Sequence, residues 1–158
     1  MKKITVAFLL TILAIWCTPI FLLDSKPKVC YNISIGVGTS SIDSLVKDKR
    51  IANAIKKTKY PYTLAAIAKQ ETGGTFNPNT IGDKGKSFGL YQIQEQHWGK
   101  FDKSIEGQTK KAEEILDELI KEHGYNKAVE RYNGSGRMAR LYRANVLKTV
   151  SLLRRQDG

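Results

Sequence analysis

Hydrophobic and polar positions divide the chain into one long apolar run followed by a series of amphipathic stretches. No charged residue occurs between Ile4 and Leu23; Lys2 and Lys3 precede the run and Asp24 ends it. Its twenty residues are enough to cross a hydrocarbon core as a helix. A secretory signal has a shorter apolar core with small residues before its cleavage site, whereas Phe21, Leu22 and Leu23 occupy that place here. The run therefore favours an uncleaved anchor whose two lysines stay in the cytoplasm. Pro19, which kinks a helix, leaves a cleaved signal open. The resulting division is a signal peptide or transmembrane anchor over residues 1–24, a linker over 25–40 and one folded domain over 41–158.

Within the domain the apolar period is helical. Ser41 can cap a first helix carrying Ile42, Leu45, Val46, Ala52 and Ile55. Pro61 suits a first helical turn and Gly73-Gly74 a helix end, which predicts a second helix with Leu64, Ile67 and Ala68 on its stripe. Seven positions after Leu64 and three after Ala68 the same stripe reaches Glu71, so a carboxylate continues an apolar face. A glycine- and asparagine-rich loop follows from Thr72 to Lys86, then a short apolar turn from Phe88 to Ile93. Later patterns predict a helix from about Lys110 to His123, a short one capped by Asn126, and a last one through Met138, Leu141, Tyr142, Val146, Val150 and Leu153. No strand pattern stands out, and the fold class expected is mainly α.

Charge narrows the partners. The 158 residues hold 26 Lys+Arg against 15 Asp+Glu, a formal net charge of +11, which attracts polyanions such as nucleic acid, anionic lipid or wall polymer. No zinc-finger spacing, recognition helix or aromatic-studded basic sheet accompanies it, so nucleic acid is not expected as a partner. The two cysteines are Cys17, inside the apolar run, and Cys30 in the linker, which argues against a disulfide within the domain. His97 and His123 have no companions at metal-ligand spacing, and neither metal nor cofactor is expected.

Three segments carry candidate chemistry: Gln70-Glu71-Thr72 with Asn77-Pro78, then Ser87-Phe88-Gly89-Leu90-Tyr91-Gln92-Ile93, and later Arg131-Tyr132-Asn133-Gly134. With these in this order, the stretch from about Tyr60 to Val150 resembles the catalytic domain of soluble lytic transglycosylases, a branch of the lysozyme superfamily close to goose-type lysozyme. The resemblance implies a lysozyme-like helical domain that cleaves the β-1,4 bond between N-acetylmuramic acid and N-acetylglucosamine in peptidoglycan. It implies that Glu71 is the catalytic acid and base, with Thr72 standing where the family has serine. Thr72, Gly89, Leu90, Gln92 and Asn133 become substrate-binding residues, and Tyr132 a catalytic partner that orients Glu71.

The residues themselves support part of this. Protonating a glycosidic oxygen near neutral pH requires a carboxyl whose pKa is raised by an apolar setting, and Glu71 on an apolar stripe is placed for that. Hydrolytic lysozymes commonly add a second carboxylate, for which Asp83, Glu95 and Asp102 are the candidates. The transglycosylase route needs none, because the muramoyl 6-hydroxyl attacks its own anomeric carbon and leaves a 1,6-anhydro end. A hydrolytic muramidase using Asp83 and a noncatalytic wall-binding module remain the alternatives. Tyr91 and Trp98 are candidates for stacking on sugar faces. The expected partners are peptidoglycan strands and, through the N-terminal segment, the membrane; a secretion, conjugation or phage machine enters by analogy alone. The expected location is exported, anchored in the inner membrane facing the periplasm or wall, or secreted if the signal is cleaved.

Overall fold

The computed structural model describes residues 39–158. The anchor or signal segment, both cysteines and the linker as far as residue 38 lie outside the described residues. Among those described, no helix is long and apolar enough to cross a membrane.

The described chain is mainly helical: α1 (Ser41–Leu45), α2 (Lys49–Lys56), α3 (Pro61–Glu71), α4 (Glu95–Trp98), α5 (Ile105–His123), α6 (Tyr125–Tyr132) and α7 (Gly136–Asp157). The single first helix expected from the apolar spacing is broken in two. Val46 is buried in an extended conformation, and the Asp48 carboxylate accepts the Arg50 N–H to start α2 afresh. The cap of α1 is Ser40, one residue earlier than expected; Ser41 instead donates its N–H and its hydroxyl to the carboxylate of Asp157, at 2.7 and 2.8 Å. This couples the start of α1 to the end of α7.

A buried central helix decides where the site lies. Thr63, Leu64, Ala65, Ala66, Ile67 and Ala68 of α3 are all buried, so the middle of the helix is enclosed on every side. Its alanines leave room for close neighbours, and it packs chiefly against α7, with α2, α5 and α1 around it. Helix α5 lies against α6, and α6 in turn against α7. One ion pair fixes the α6–α7 register: the Glu130 carboxylate, 2% exposed, accepts from Arg143 Nη1 at 2.8 Å and also pairs with Lys127. Those partners, the Lys127 ammonium foremost, hold its carboxyl below the ordinary range.

Helix α5 begins at Ile105, five residues earlier than its apolar pattern suggests, capped by the Ser104 hydroxyl accepting the Gly107 N–H. Its first turns bury Gln108 and Thr109, polar residues that carry no apolar signature. The loop after α3 also holds more order than expected. Three two-residue strands, β1 (Ile81–Gly82), β2 (Ser87–Phe88) and β3 (Ile93–Gln94), form an antiparallel sheet with Ile81 opposite Phe88, Gly82 opposite Ser87, and Phe88 opposite Ile93. Strands this short show no alternation along the sequence.

Candidate functional site

Glu71 is the last residue of α3, where the enclosed helix emerges into a cleft. Its side chain is partly buried, and Tyr142 of α7 donates its phenol hydrogen to Oε1 at 2.6 Å. Burial pushes the Glu71 carboxyl above its ordinary value; the Tyr142 hydrogen bond, which favours the ionised form, opposes this without cancelling it. Tyr142 is itself 6% exposed, and burial together with the neighbouring Glu71 charge keeps its phenol protonated.

The expected Tyr132–Glu71 hydrogen bond is therefore corrected to Tyr142–Glu71. Tyr132, at the end of α6, donates instead to the backbone carbonyl of Tyr91 at 3.2 Å. The reason is packing: α7, not α6, runs along α3, and the Arg143–Glu130 pair one residue further on sets the face that α7 presents. Tyr142 read as an ordinary core position in the sequence. The available signal was its hydroxyl, because a buried phenol must find a hydrogen-bond partner. Tyr132 still borders the site: its phenol is held protonated by burial, and the Glu71 charge adds to the effect.

A cavity of about 310 Å³ opens on Glu71 and is lined also by Asp83, Ser87, Gln92, Tyr132 and Asn133. It adjoins a second cavity of about 500 Å³, reached past the shared walls of Tyr91, Gln92, Gln94, Tyr132 and Asn133 and lined further on by His97, Trp98 and Arg131. Together they make a cleft with a carboxylate-bearing end and a basic, aromatic end.

The other sequence-predicted site residues divide between wall and support. Asn133 terminates α6, is exposed, lines both cavities and makes no side-chain hydrogen bond among the described residues, so its amide faces whatever enters. Gln92 lines both cavities as well, but its amide nitrogen is engaged by the carbonyls of Thr80 at 3.2 Å and Gly89 at 2.9 Å. Thr72, expected on the substrate, is turned away from both cavities: its buried hydroxyl donates to the Ala68 carbonyl and accepts the Phe76 N–H, closing α3 and starting the loop. Leu90 is fully buried and Gly89 buried, so they support the cleft from behind rather than touch its contents. Tyr91 is likewise 0% exposed, which removes its ring as a sugar-stacking face, whereas Trp98 is half-buried in the wall of the larger cavity.

Sequence reasoning missed Gln108, the residue that assembles this support. Its fully buried amide accepts the Leu90 N–H at 2.8 Å and donates to the carbonyls of Pro78 at 3.0 Å and Lys103 at 2.6 Å. Three loop segments are thereby held to α5, and every polar group involved is satisfied. Gly89 has a left-handed φ of 81°, and a Cβ there would sit 2.0 Å from Gln108 Oε1, so the motif glycine is required by this contact. No substrate needs to be invoked for it.

Of the candidate second carboxylates, only Asp83 reaches the Glu71 cavity, on a turn where it accepts Gln94 Nε2 at 3.2 Å. Glu95 pairs with Lys103 at 2.9 Å, and Asp102 accepts the Ser104 N–H at 2.9 Å ahead of α5. The site defines a helical protein whose cleft holds one carboxyl raised in pKa by burial and hydrogen-bonded by a phenol, with a second carboxylate lining the same cavity. No family model, curated protein or solved structure matches the chain.

Proposed function

We propose that the chain is a peptidoglycan-cleaving enzyme of the lytic transglycosylase type, built on a lysozyme-like helical domain. The observation that carries the reading is Glu71: a carboxyl at the end of a buried helix, with its pKa raised by burial, gripped by Tyr142 and opening on a cleft. Such a group retains its proton at higher pH than an exposed glutamate and can pass it to a leaving oxygen.

In the reaction proposed, the Glu71 proton goes to the glycosidic oxygen as its bond to the muramoyl anomeric carbon breaks. The ionised Glu71 then takes the proton of the muramoyl 6-hydroxyl as that oxygen closes on the anomeric carbon. The carboxyl ends as it began, no water is consumed, and the new end is a 1,6-anhydro sugar. Tyr142 steadies the carboxylate between the two transfers, since a hydrogen bond to the charged form is stronger than one to the neutral form. Asn133 is the amide best placed to meet an acetamido or hydroxyl group of the sugar. The segment from Ile4 to Leu23 is proposed to carry the domain across the inner membrane and hold it on the wall side, or to release it if cleaved.

Asp83 in the same cavity favours a second reading, a hydrolytic muramidase in which that carboxylate activates water or attacks the sugar. Mass spectrometry of muropeptides after digestion decides between them, because the anhydro and reducing ends differ by one water. Anhydro products support the transglycosylase, reducing ends the muramidase, and no products from intact, correctly folded protein refute both.

A further inference from the structure

The end of the cleft away from Glu71 is built differently from the catalytic end. Arg131 contributes to its lining, is exposed, and pairs with no carboxylate among the described residues. Among the described residues no Asp or Glu lines that cavity, whereas Glu71 and Asp83 line the adjoining one. Trp98 offers an apolar ring in the same wall, and Asn133 bridges the two cavities. A cation left without an internal partner beside an aromatic surface fits a sugar ring that carries an acidic substituent. The guanidinium takes a carboxylate through two parallel N–H donors, and the ring lies on the indole.

Resting on the glycan-cleaving reading above, we infer that Arg131 is a specificity determinant that binds a carboxylate carried on the 3-O substituent of muramic acid. Two sources share that chemistry, the lactyl group itself when it is unsubstituted and the stem peptide when it is present. The site is thus selective for acidic wall glycan over the neutral polymer of N-acetylglucosamine. A competing role for Arg131 is purely structural, because it lies in the last turn of α6, where a cation complements the helix dipole. That role would act on stability and not on the choice of substrate.

The test uses the full chain in detergent, as wild type, Arg131→Gln and Arg131→Lys, on three glycans: peptide-bearing strands, amidase-stripped strands with free lactyl carboxylates, and peptide-bearing strands whose carboxylates are capped with a neutral amine. Thermal unfolding of each variant accompanies the kinetics. The expected result is that Arg131→Gln lowers kcat/KM on at least one carboxylate-bearing strand about tenfold more than on the capped strand, the scale of one lost charge-assisted contact. Arg131→Lys should keep part of the preference, and added salt should erode the preference of the wild type. A loss confined to the stripped strands identifies the lactyl carboxylate, and one confined to the peptide-bearing strands identifies the stem peptide. Equal losses on all three strands, or no loss, overturn the inference while leaving glycan cleavage intact. A folded wild type that cleaves none of the three removes the glycan-cleaving reading itself, and the role of Arg131 with it.

Discussion

Replacing Tyr142 by phenylalanine removes one oxygen from a buried side chain and leaves its ring in place between α7 and α3. The lost atom is the donor of the 2.6 Å hydrogen bond to Glu71 Oε1. Hydrogen bonds to a charged group are worth about 1.5–3 kcal/mol, against about 1 kcal/mol for a neutral pair. Because the bond favours ionised Glu71 and partly offsets the upward push of burial, its removal raises the Glu71 pKa further. A group whose folded-state pKa lies above its unfolded value stabilises the fold fully below the unfolded value of about 4.3 and loses that contribution as pH rises through the folded value. A further rise deepens the loss at neutral pH and leaves the acid side unchanged by this route. Tyr142→Phe should therefore be destabilised by about 1.5–3 kcal/mol near pH 7, with the deficit shrinking to that of a neutral hydrogen bond near pH 4. In kinetics the same energy corresponds to a fall of about ten- to a hundredfold in turnover, and the alkaline limb of the pH profile, where Glu71 loses its proton, moves to higher pH. Denaturant unfolding at several pH values and muropeptide release across the same range measure both. A deficit that grows on acidification, or an alkaline limb that moves to lower pH, would refute the argument. So would an equal shift of that limb in Tyr132→Phe, whose phenol serves the Tyr91 carbonyl instead.

Glu71→Gln should lose glycan cleavage by about 10²- to 10⁴-fold, yet unfold at higher denaturant than wild type at pH 7, an advantage that fades towards pH 4; lower stability at neutral pH would place Glu71 in a polar setting instead. Gly89→Ala forces a methyl to 2.0 Å from Gln108 Oε1 at a left-handed φ, and overpacking with backbone strain should destabilise the fold by about 2–4 kcal/mol in urea titration. Unchanged stability would mean that the Gln108 clasp yields easily. Asp83→Asn should retain most muropeptide release under the transglycosylase reading; a loss as deep as that of Glu71→Gln, with reducing ends in the wild-type digest, would favour the muramidase.

The sequence by itself determined the helical character, the termination of α3 near Gly73-Gly74, and the placement of Glu71 at its end, because these follow from local periodicity and breaker residues. The apolar stripe that reaches Glu71 already implied a desolvated carboxyl. The resemblance also marked Gln92, Tyr132 and Asn133, all of which border the cleft. What none of these signals could supply was direction. Whether a tyrosine of the last two helices meets Glu71 depends on which helix lies along α3, and that is settled by long-range packing and the Glu130–Arg143 pair, not by spacing within either helix. Thr72, Gly89 and Leu90 are residues that the resemblance places on the substrate, yet they serve the backbone and the Gln108 clasp. A buried amide that joins Leu90, Pro78 and Lys103 is invisible in one dimension, because its three partners are separated by loops and its polarity reads as surface. Only the tertiary structure decided that Tyr142 holds Glu71, that Asp83 shares its cavity, and that Arg131 has no carboxylate partner among the described residues. Each depends on side chains from different elements converging in space, which hydrophobic periodicity, a property of single elements, does not encode.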